Sequence, residues 1–173
     1  DINFSHVPSV AHSRYKKAFA KKAPEAYGSY VTALVKGTPG VKINADAIFP
    51  HDVIKNALSN RSLSDVIDAQ WAALPNFMGD GHKALAMVDV SGSMACSVGG
   101  ISGTTCIQVA IALGLYVSDK NSGPFKDLFL TFSTRPSFVH LTGKITDKIQ
   151  QMSRAKWDMS TNLEGAFEAI LDH

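Results

Sequence analysis

An aspartate and two serines at alternate positions stand at the end of an apolar stretch of the chain. The stretch 84–94 reads ALAMVDVSGSM, in which Asp89 is followed by Ser91 and Ser93. Carboxylate and neutral hydroxyl oxygens are the ligands that hard cations prefer, so the spacing predicts a site for Mg²⁺, Mn²⁺ or Ca²⁺. A single carboxylate would leave the cation able to accept an acidic side chain from a partner. The alternative is a polar turn in which these side chains bond only loop amides.

The residues before the motif predict the strand that must position it. Residues 84–90 are apolar except for Asp89, a pattern typical of a strand buried on both faces of a parallel sheet. Gly92 lets the backbone turn sharply where the strand ends. Open α/β sheets bind ligands at the carboxyl ends of their strands, and the three side chains are expected at such an end.

The residues after the motif predict the rest of an α/β unit. Apolar runs bounded by glycine and proline alternate with stretches of helical spacing. The predicted elements are an apolar helix capped by Thr104 or Thr105, a buried strand at 128–132, a shorter edge strand at 137–141, a helix beginning near 146, and a last helix capped by Thr161.

The first eighty residues predict a small helical segment. Four stretches keep the apolar spacing of amphipathic helices, and prolines and glycines separate them. Pro24 and Pro50 begin the second and third predicted helices, and the predicted caps of the first and fourth are Ser9 and either Ser62 or Ser64. The sequence therefore predicts a helical part, 1–80, and an α/β part, 81–173.

The first predicted helix, residues 9–22, is basic and contains no acidic residue. Tyr15 and Phe19 lie among its cations. The cations are Arg14, Lys16, Lys17, Lys21 and Lys22. Basic helices with aromatic side chains are typical of nucleic-acid interfaces, so this helix is a candidate surface for RNA. The alternative is the solvated face of an ordinary amphipathic helix.

Length and composition are those of an ordinary globular protein. The chain has 173 residues, of which 45% are hydrophobic, and a net charge of +2 that does not by itself indicate a polyanionic partner. No apolar run reaches the ~18 residues of a membrane span, and no signal sequence is found, so we expect a cytoplasmic protein without a membrane partner. Cys96 and Cys106 are expected to be reduced, and a bridge that closes the loop between them stays open as an alternative.

The order of these motifs resembles that of a von Willebrand factor A domain. The shared features are a strand ending in DVSGSM, an apolar helix, a strand reading LTFS, and a helix preceded by MSTN. Such domains have a metal-ion-dependent adhesion site with the pattern DxSxS and a later threonine. The resemblance implies a Rossmann-like three-layer α/β sandwich over residues 83–173, in which Asp89, Ser91, Ser93 and Thr161 hold the metal. It also implies a module that binds an acidic residue of a protein partner.

The sequence departs from this pattern at one ligand. The family's site includes a further aspartate on the strand after the last helix predicted here, and the sequence ends at His173 before such a strand. Asp172 is in helical register and is a poor substitute. We therefore expect a domain truncated after its third or fourth helix, with an open edge on its first strand.

The helical part resembles the segment before an A-type domain in a family known as a domain of unknown function. The stretches that carry this resemblance are SVAHSRYKKAF, EAYGSYVTALVKG and KINADAIFPHDVI. The layout is similar to that of the Ro (TROVE) RNA-binding proteins, which join a helical ring to an A-type domain. It implies an alternative function as a ribonucleoprotein component that binds RNA through the basic helix.

An enzymatic role would need a base for one of the serines. No histidine lies near Asp89 in the sequence, although a distant one such as His140 stays open as a base. A metal-activated hydrolase would also need more carboxylates than this cluster supplies. We therefore expect a binding protein and not an enzyme.

Overall fold

The protein is a mixed α/β structure. The computed structural model describes residues 2–59, 63–79, 81, 83–99, 103–132, 134–154 and 162–172. These residues form seven α-helices and one three-stranded sheet. They divide into two compact units, Asp1–Pro75 and Asn76–His173. None of the helices in these ranges combines the length and the apolar character of a membrane span.

The elements follow one another in the predicted order. The first unit contains α1 (Ser9–Lys22), α2 (Pro24–Val35), α3 (Pro50–Ser59) and α4 (Ser64–Ala72). The second unit contains β1 (Ala86–Asp89), α5 (Cys106–Lys120), β2 (Leu128–Phe132), β3 (Phe138–His140), α6 (Ile145–Arg154) and α7 (Leu163–Leu171). The predicted starts at Pro24 and Pro50 are confirmed. The predicted serine caps are wrong, because Pro8 and Leu63 are the capping residues of α1 and α4, and Ser9 and Ser64 are the first residues within these helices.

An aromatic core holds the first unit together. Phe4 lies edge-on to Tyr27, with ring centroids 5.0 Å apart, and both are buried with Tyr30, Ile43 and Val66. Tyr30 keeps its hydroxyl satisfied by donating to the backbone carbonyl of the connector between α2 and α3 at 2.9 Å. The core therefore combines apolar contact with a polar tie, as buried tyrosines usually require.

A parallel strand pair lies at the centre of the second unit. β1 pairs with β2 in parallel, so that Asp89 lies opposite Phe132 at the carboxyl end of both strands. β3 pairs antiparallel on the other side of β2, which confirms the predicted edge strand. α5 joins β1 to β2 and packs against both strands. A tight turn can join only antiparallel strands. Parallel strands need a crossover such as α5, because the chain must return to the end at which the first strand began.

The close contact between α5 and β1 depends on a glycine. Gly114 faces Val88 so closely that a Cβ atom added to the glycine would overlap the valine Cγ2. Val88 is buried by this contact, whereas Met87 on the other face of β1 is 42% exposed. The prediction of a strand buried on both faces is therefore wrong for β1, since an apolar run alone does not tell how many layers cover a strand.

A buried lysine joins three elements of the second unit. Lys148 of α6 is 4% exposed, and its Nζ donates to Asp119 of α5 and to Asp127 before β2, at 2.6 Å in each case. Asp127 also donates its backbone N–H to Ser118 and accepts one from Leu141, each at 2.8 Å. Burial by itself would lower the pKa of Lys148, but the hydrogen bonds to the two carboxylates outweigh it and raise the pKa.

We predict that Lys148→Met lowers the free energy of unfolding by about 3 kcal/mol, because it leaves two carboxylates close together without their cation. Urea unfolding at neutral pH measures the loss. Lys83→Met removes an exposed lysine of the same unit and serves as the control, with an expected change within ~0.5 kcal/mol. Equal stability of the two variants would contradict a structural role for the ion pairs of Lys148 with Asp119 and Asp127.

The pH dependence of this contribution has a definite sign. Because the folded-state pKa of Lys148 is raised, its stabilisation is fully present below the unfolded lysine value of ~10.4. It is lost only as the pH rises through the higher folded-state pKa. The difference between wild type and Lys148→Met should therefore stay constant across the neutral and mildly alkaline range.

Candidate metal centre

The turn after β1 gathers the three predicted side chains. The backbone N–H of Ser91 donates to Asp89 Oδ1 at 2.8 Å, which bends the chain at the end of the strand. A 3₁₀ turn, Gly92–Ala95, follows, and the Met94 N–H donates to the Ser91 carbonyl at 2.9 Å. The turn brings Ser93 back towards Ser91, so that their hydroxyl oxygens lie 3.0 Å apart.

The spacing of the two hydroxyls fits a small octahedral cation. Ser91 Oγ and Ser93 Oγ lie at hydrogen-bond distance, 3.0 Å. Metal–oxygen distances of 2.0–2.1 Å place neighbouring ligands of octahedral Mg²⁺ about 2.8–3.0 Å apart, so the same two oxygens are spaced to act as neighbouring ligands. Ser93 is exposed, and Asp89 and Ser91 are half-buried, so a cation could reach all three from solvent.

The fourth predicted ligand, Thr161, lies outside the described residues. Its neighbour Asn162 caps α7 by accepting the Gly165 N–H at 2.9 Å, so the cap of this helix is Asn162 and not the predicted threonine. Asn162 Nδ2 also donates to the carbonyl of Thr134, just after β2, at 3.1 Å. The start of α7 therefore lies at the same edge of the sheet as Asp89.

Asn162 is absent from the predicted site, although its position carries a recognisable signal. Asparagine directly before an apolar helical stretch is a preferred helix cap. What the pattern does not reveal is the second bond, to Thr134, which attaches the helix to the end of β2. That bond fixes the start of α7 beside the end of β2.

Among the residues that the structure describes, the other acidic and histidine side chains form no larger metal-binding group with this centre. Within the described ranges, no group of three or more histidine, cysteine, aspartate or glutamate residues is placed to hold a metal. Asp172 is exposed and forms the carboxyl-terminal cap of α7. The donor set at β1 is thus one carboxylate with two hydroxyls, a set that favours hard cations over zinc or copper.

His140 lies at the opposite edge of the sheet. It pairs with Leu128 at the first position of β2, whereas Asp89 pairs with Phe132 at the last. Four residues of strand correspond to about 13 Å, far beyond the reach of a proton transfer to Ser91. The topology therefore separates the distant candidate base from the serines.

The basic helix α1 exposes only part of its predicted cation set. The exposed members are Arg14, Lys17, Lys21 and Lys22, with Tyr15 beside them. Lys16 is 1% exposed, because it follows the buried His12 by one turn on the inward face of the helix. It is therefore not available to a nucleic acid, and the predicted set of five becomes four.

Burial changes the titration of both inward-facing residues. Desolvation, with a smaller contribution from Lys17, lowers the pKa of Lys16 to about 8. Desolvation, and then the charge of Lys16, lowers the pKa of His12 to about 4. His12 Nε2 lies 2.9 Å from the Tyr27 hydroxyl, whereas Lys16 Nζ has no hydrogen-bond partner in the described part of the chain. The buried ammonium group of Lys16 therefore destabilises the folded state at neutral pH.

We predict that Lys16→Met raises the free energy of unfolding at pH 7 by about 1–3 kcal/mol, because it removes a buried charge. The pKa of lysine in the unfolded chain is ~10.4, whereas that of folded Lys16 is about 8. Between these two pH values the unfolded state binds more protons than the folded state, so wild-type stability rises with pH. The variant should lack this rise. Urea unfolding at about pH 7 and about pH 10 measures both effects.

Lys21→Met is the matched control, because Lys21 is exposed on the same helix. We expect its stability to stay within ~0.5 kcal/mol of wild type at both pH values. If the two variants behaved alike, the burial of Lys16 would not matter to folding.

The fold and the site define an α/β domain with a hydroxyl- and carboxylate-bearing turn at its sheet edge, preceded by a helical unit. Residues 83–173 match the family described as Domain of unknown function (DUF7788), and residues 1–80 match Domain of unknown function (DUF2828). Because the first match covers more than half of the chain, this chain belongs to the DUF7788 family.

A viral protein shares both parts of the chain. Uncharacterized protein L728 of Acanthamoeba polyphaga mimivirus is 33% identical over 189 residues, which cover 99% of this chain and 31% of that protein. The chain thus spans about a third of the length of this curated relative. No solved structure matches the chain at a significant level.

Proposed function

We propose that residues 83–173 form a von Willebrand factor A-type domain that binds Mg²⁺ or Mn²⁺ through Asp89, Ser91, Ser93 and Thr161. The bound cation would recognise an acidic side chain of a protein partner. The observation that carries the proposal is the 3.0 Å separation of the two serine hydroxyls next to a strand-end carboxylate. The two oxygens share a hydrogen bond at this distance, and the spacing is also close to that of neighbouring ligands of octahedral Mg²⁺, about 2.8–3.0 Å.

The topology supports the same assignment. β1 and β2 are parallel, joined by α5, and bordered by the antiparallel β3, as in one half of a Rossmann-like sheet. The motif lies at the carboxyl end of β1, where open α/β sheets bind their ligands. Asn162 holds the start of α7 at this edge, which is where a ligand from Thr161 would be needed.

The charge of the donor set explains why the cation would bind a partner. Asp89 supplies the single carboxylate, so a divalent ion on these residues keeps a net positive charge. Such an ion attracts a further carboxylate strongly when water is excluded from the contact. His140, the one histidine of the second unit that the structure describes, lies at the other edge of the sheet from the serines, so we propose binding and not catalysis.

We predict that Mg²⁺ or Mn²⁺ raises the melting temperature of the chain relative to EDTA, since a ligand that binds only the folded state stabilises it. At a hundred times the dissociation constant the gain is about 2.7 kcal/mol, or roughly 10 °C for a unit of this size. Asp89→Asn should abolish the shift.

The control variant is Asp46→Asn, which removes an exposed carboxylate from the first unit and should keep the full shift. A wild-type melt that is identical in EDTA and in metal would contradict the proposal. So would a shift that survives in Asp89→Asn.

A second candidate function is RNA binding through α1. The observation in its favour is the exposed set of four cations around Tyr15, on a helix that has no acidic side chain. Cations supply phosphate contacts, and an exposed aromatic ring offers a surface on which a base can stack.

We predict that replacing Lys17, Lys21 and Lys22 by glutamine weakens binding to single-stranded RNA and reduces the salt slope of log K by about 2, because three phosphate contacts are lost. Lys16→Met should leave binding unchanged, since Lys16 is buried. Filter binding over a salt series measures both. Equal loss in the two variants would point to altered folding, and no binding at low salt would exclude this function.

A further inference from the structure

The two cysteines of the chain face each other across a short antiparallel ladder. Ser97 and Thr105 form an isolated antiparallel bridge, and the backbone N–H of Cys106 donates to the Cys96 carbonyl at 3.0 Å. The two Sγ atoms lie 3.3 Å apart, and both thiols are free. This closeness comes from the backbone pairing beside the two cysteines.

The ladder gives the pair the backbone spacing that a disulfide needs. Cys106 opposes Cys96 and donates one backbone hydrogen bond to it, at a ladder position where opposed residues have Cα atoms about 5.5 Å apart. Disulfides have their commonest Cα separation at about 5.5–6 Å. Bridging Cys96 and Cys106 therefore requires a change of side-chain torsions and little movement of the backbone.

The chemistry of the site also favours an internal bridge. Cys96 is exposed, so a small oxidant can reach its thiol, while Cys106 is half-buried. These are the only two cysteines in the sequence, so no other thiol of the chain can compete for the intermediate. A low-molecular-weight disulfide is the class of oxidant that such a pair of thiols accepts.

We propose that Cys96 and Cys106 form a reversible redox-modification site that exchanges with small-molecule disulfides. The Cys96 thiolate attacks one sulfur of the external disulfide, breaks its S–S bond and releases one small thiol. The Cys106 thiolate then attacks Cys96 Sγ in the mixed disulfide and releases the second small thiol. The protein loses two electrons and two protons, and the external disulfide gains them.

The bridge would connect the candidate metal turn to the helix that supports it. Cys96 is the residue directly after the 3₁₀ turn Gly92–Ala95, and its N–H lies 3.5 Å from the Ser93 carbonyl. Cys106 is the first residue of α5, the helix that packs on β1 and β2. Oxidation thus closes a covalent ring around the segment between them. The redox site stands whether or not a metal binds at Asp89.

The test equilibrates the full chain in buffers of defined reduced-to-oxidised glutathione ratio, followed by acid quenching, alkylation and intact mass measurement. The expected product is a monomer that is two hydrogens lighter, resists alkylation and returns to the dithiol on reduction. Accumulation of two glutathione adducts, disulfide-linked dimers, or a persistent free dithiol in the most oxidising buffer would overturn the proposal.

Two variants separate a positioned pair from two merely reactive thiols. Cys96→Ser should stop at one glutathione adduct on Cys106. The double change Cys96→Ser with Ser97→Cys keeps two thiols in a loop of similar length, but places one on the opposite face of the ladder, because side chains alternate along a strand. We expect its internal disulfide to form with an equilibrium constant roughly tenfold or more below that of wild type. Equal constants would overturn the proposal.

Discussion

The parallel pairing of β1 with β2 determines where the functional groups of the second unit lie. Parallel strands end at the same edge of a sheet, so the turn after Asp89 and the segment after β2 must be neighbours. The pairing needs α5 as its crossover, and Gly114 lets this helix approach Val88 closely. At the other edge, Lys148 ties α5 and α6 to the start of β2 through two carboxylates. The candidate metal centre therefore depends on contacts far from its own ligands.

The turn between β1 and α5 is anchored at both of its ends. The Asp89 carboxylate accepts the N–H of Ser91 where the turn begins, and Cys96 lies against Cys106 where it ends. Between these anchors the serine hydroxyls are held 3.0 Å apart by a hydrogen bond to each other. A site that is already arranged loses less conformational entropy on binding, which is the physical advantage of such a turn. The proposed metal binding acts near the start of this segment, and the proposed disulfide exchange acts at its end.

In the first unit, the basic helix α1 exposes most of its cations on one face and buries one lysine on the other. Lys17, Lys21 and Lys22 are exposed and add to a positive surface. Lys16 follows the inward spacing set by His12 and carries a buried ammonium group with a lowered pKa. Counting charges along the sequence cannot distinguish the two, because only the direction of each side chain on the packed helix decides its environment.

The sequence by itself determined the features that depend on neighbouring residues. Proline and serine starts located the helices of the first unit, apolar composition located the strand at 128–132, and the DxSxS spacing placed its oxygens on one tight turn. Tertiary structure alone decided the exposure of Met87, the burial of Lys16, the meeting of the two cysteines and the separation of His140 from Asp89. These four outcomes depend on which distant segments pack or pair, and a local pattern carries no information on that choice.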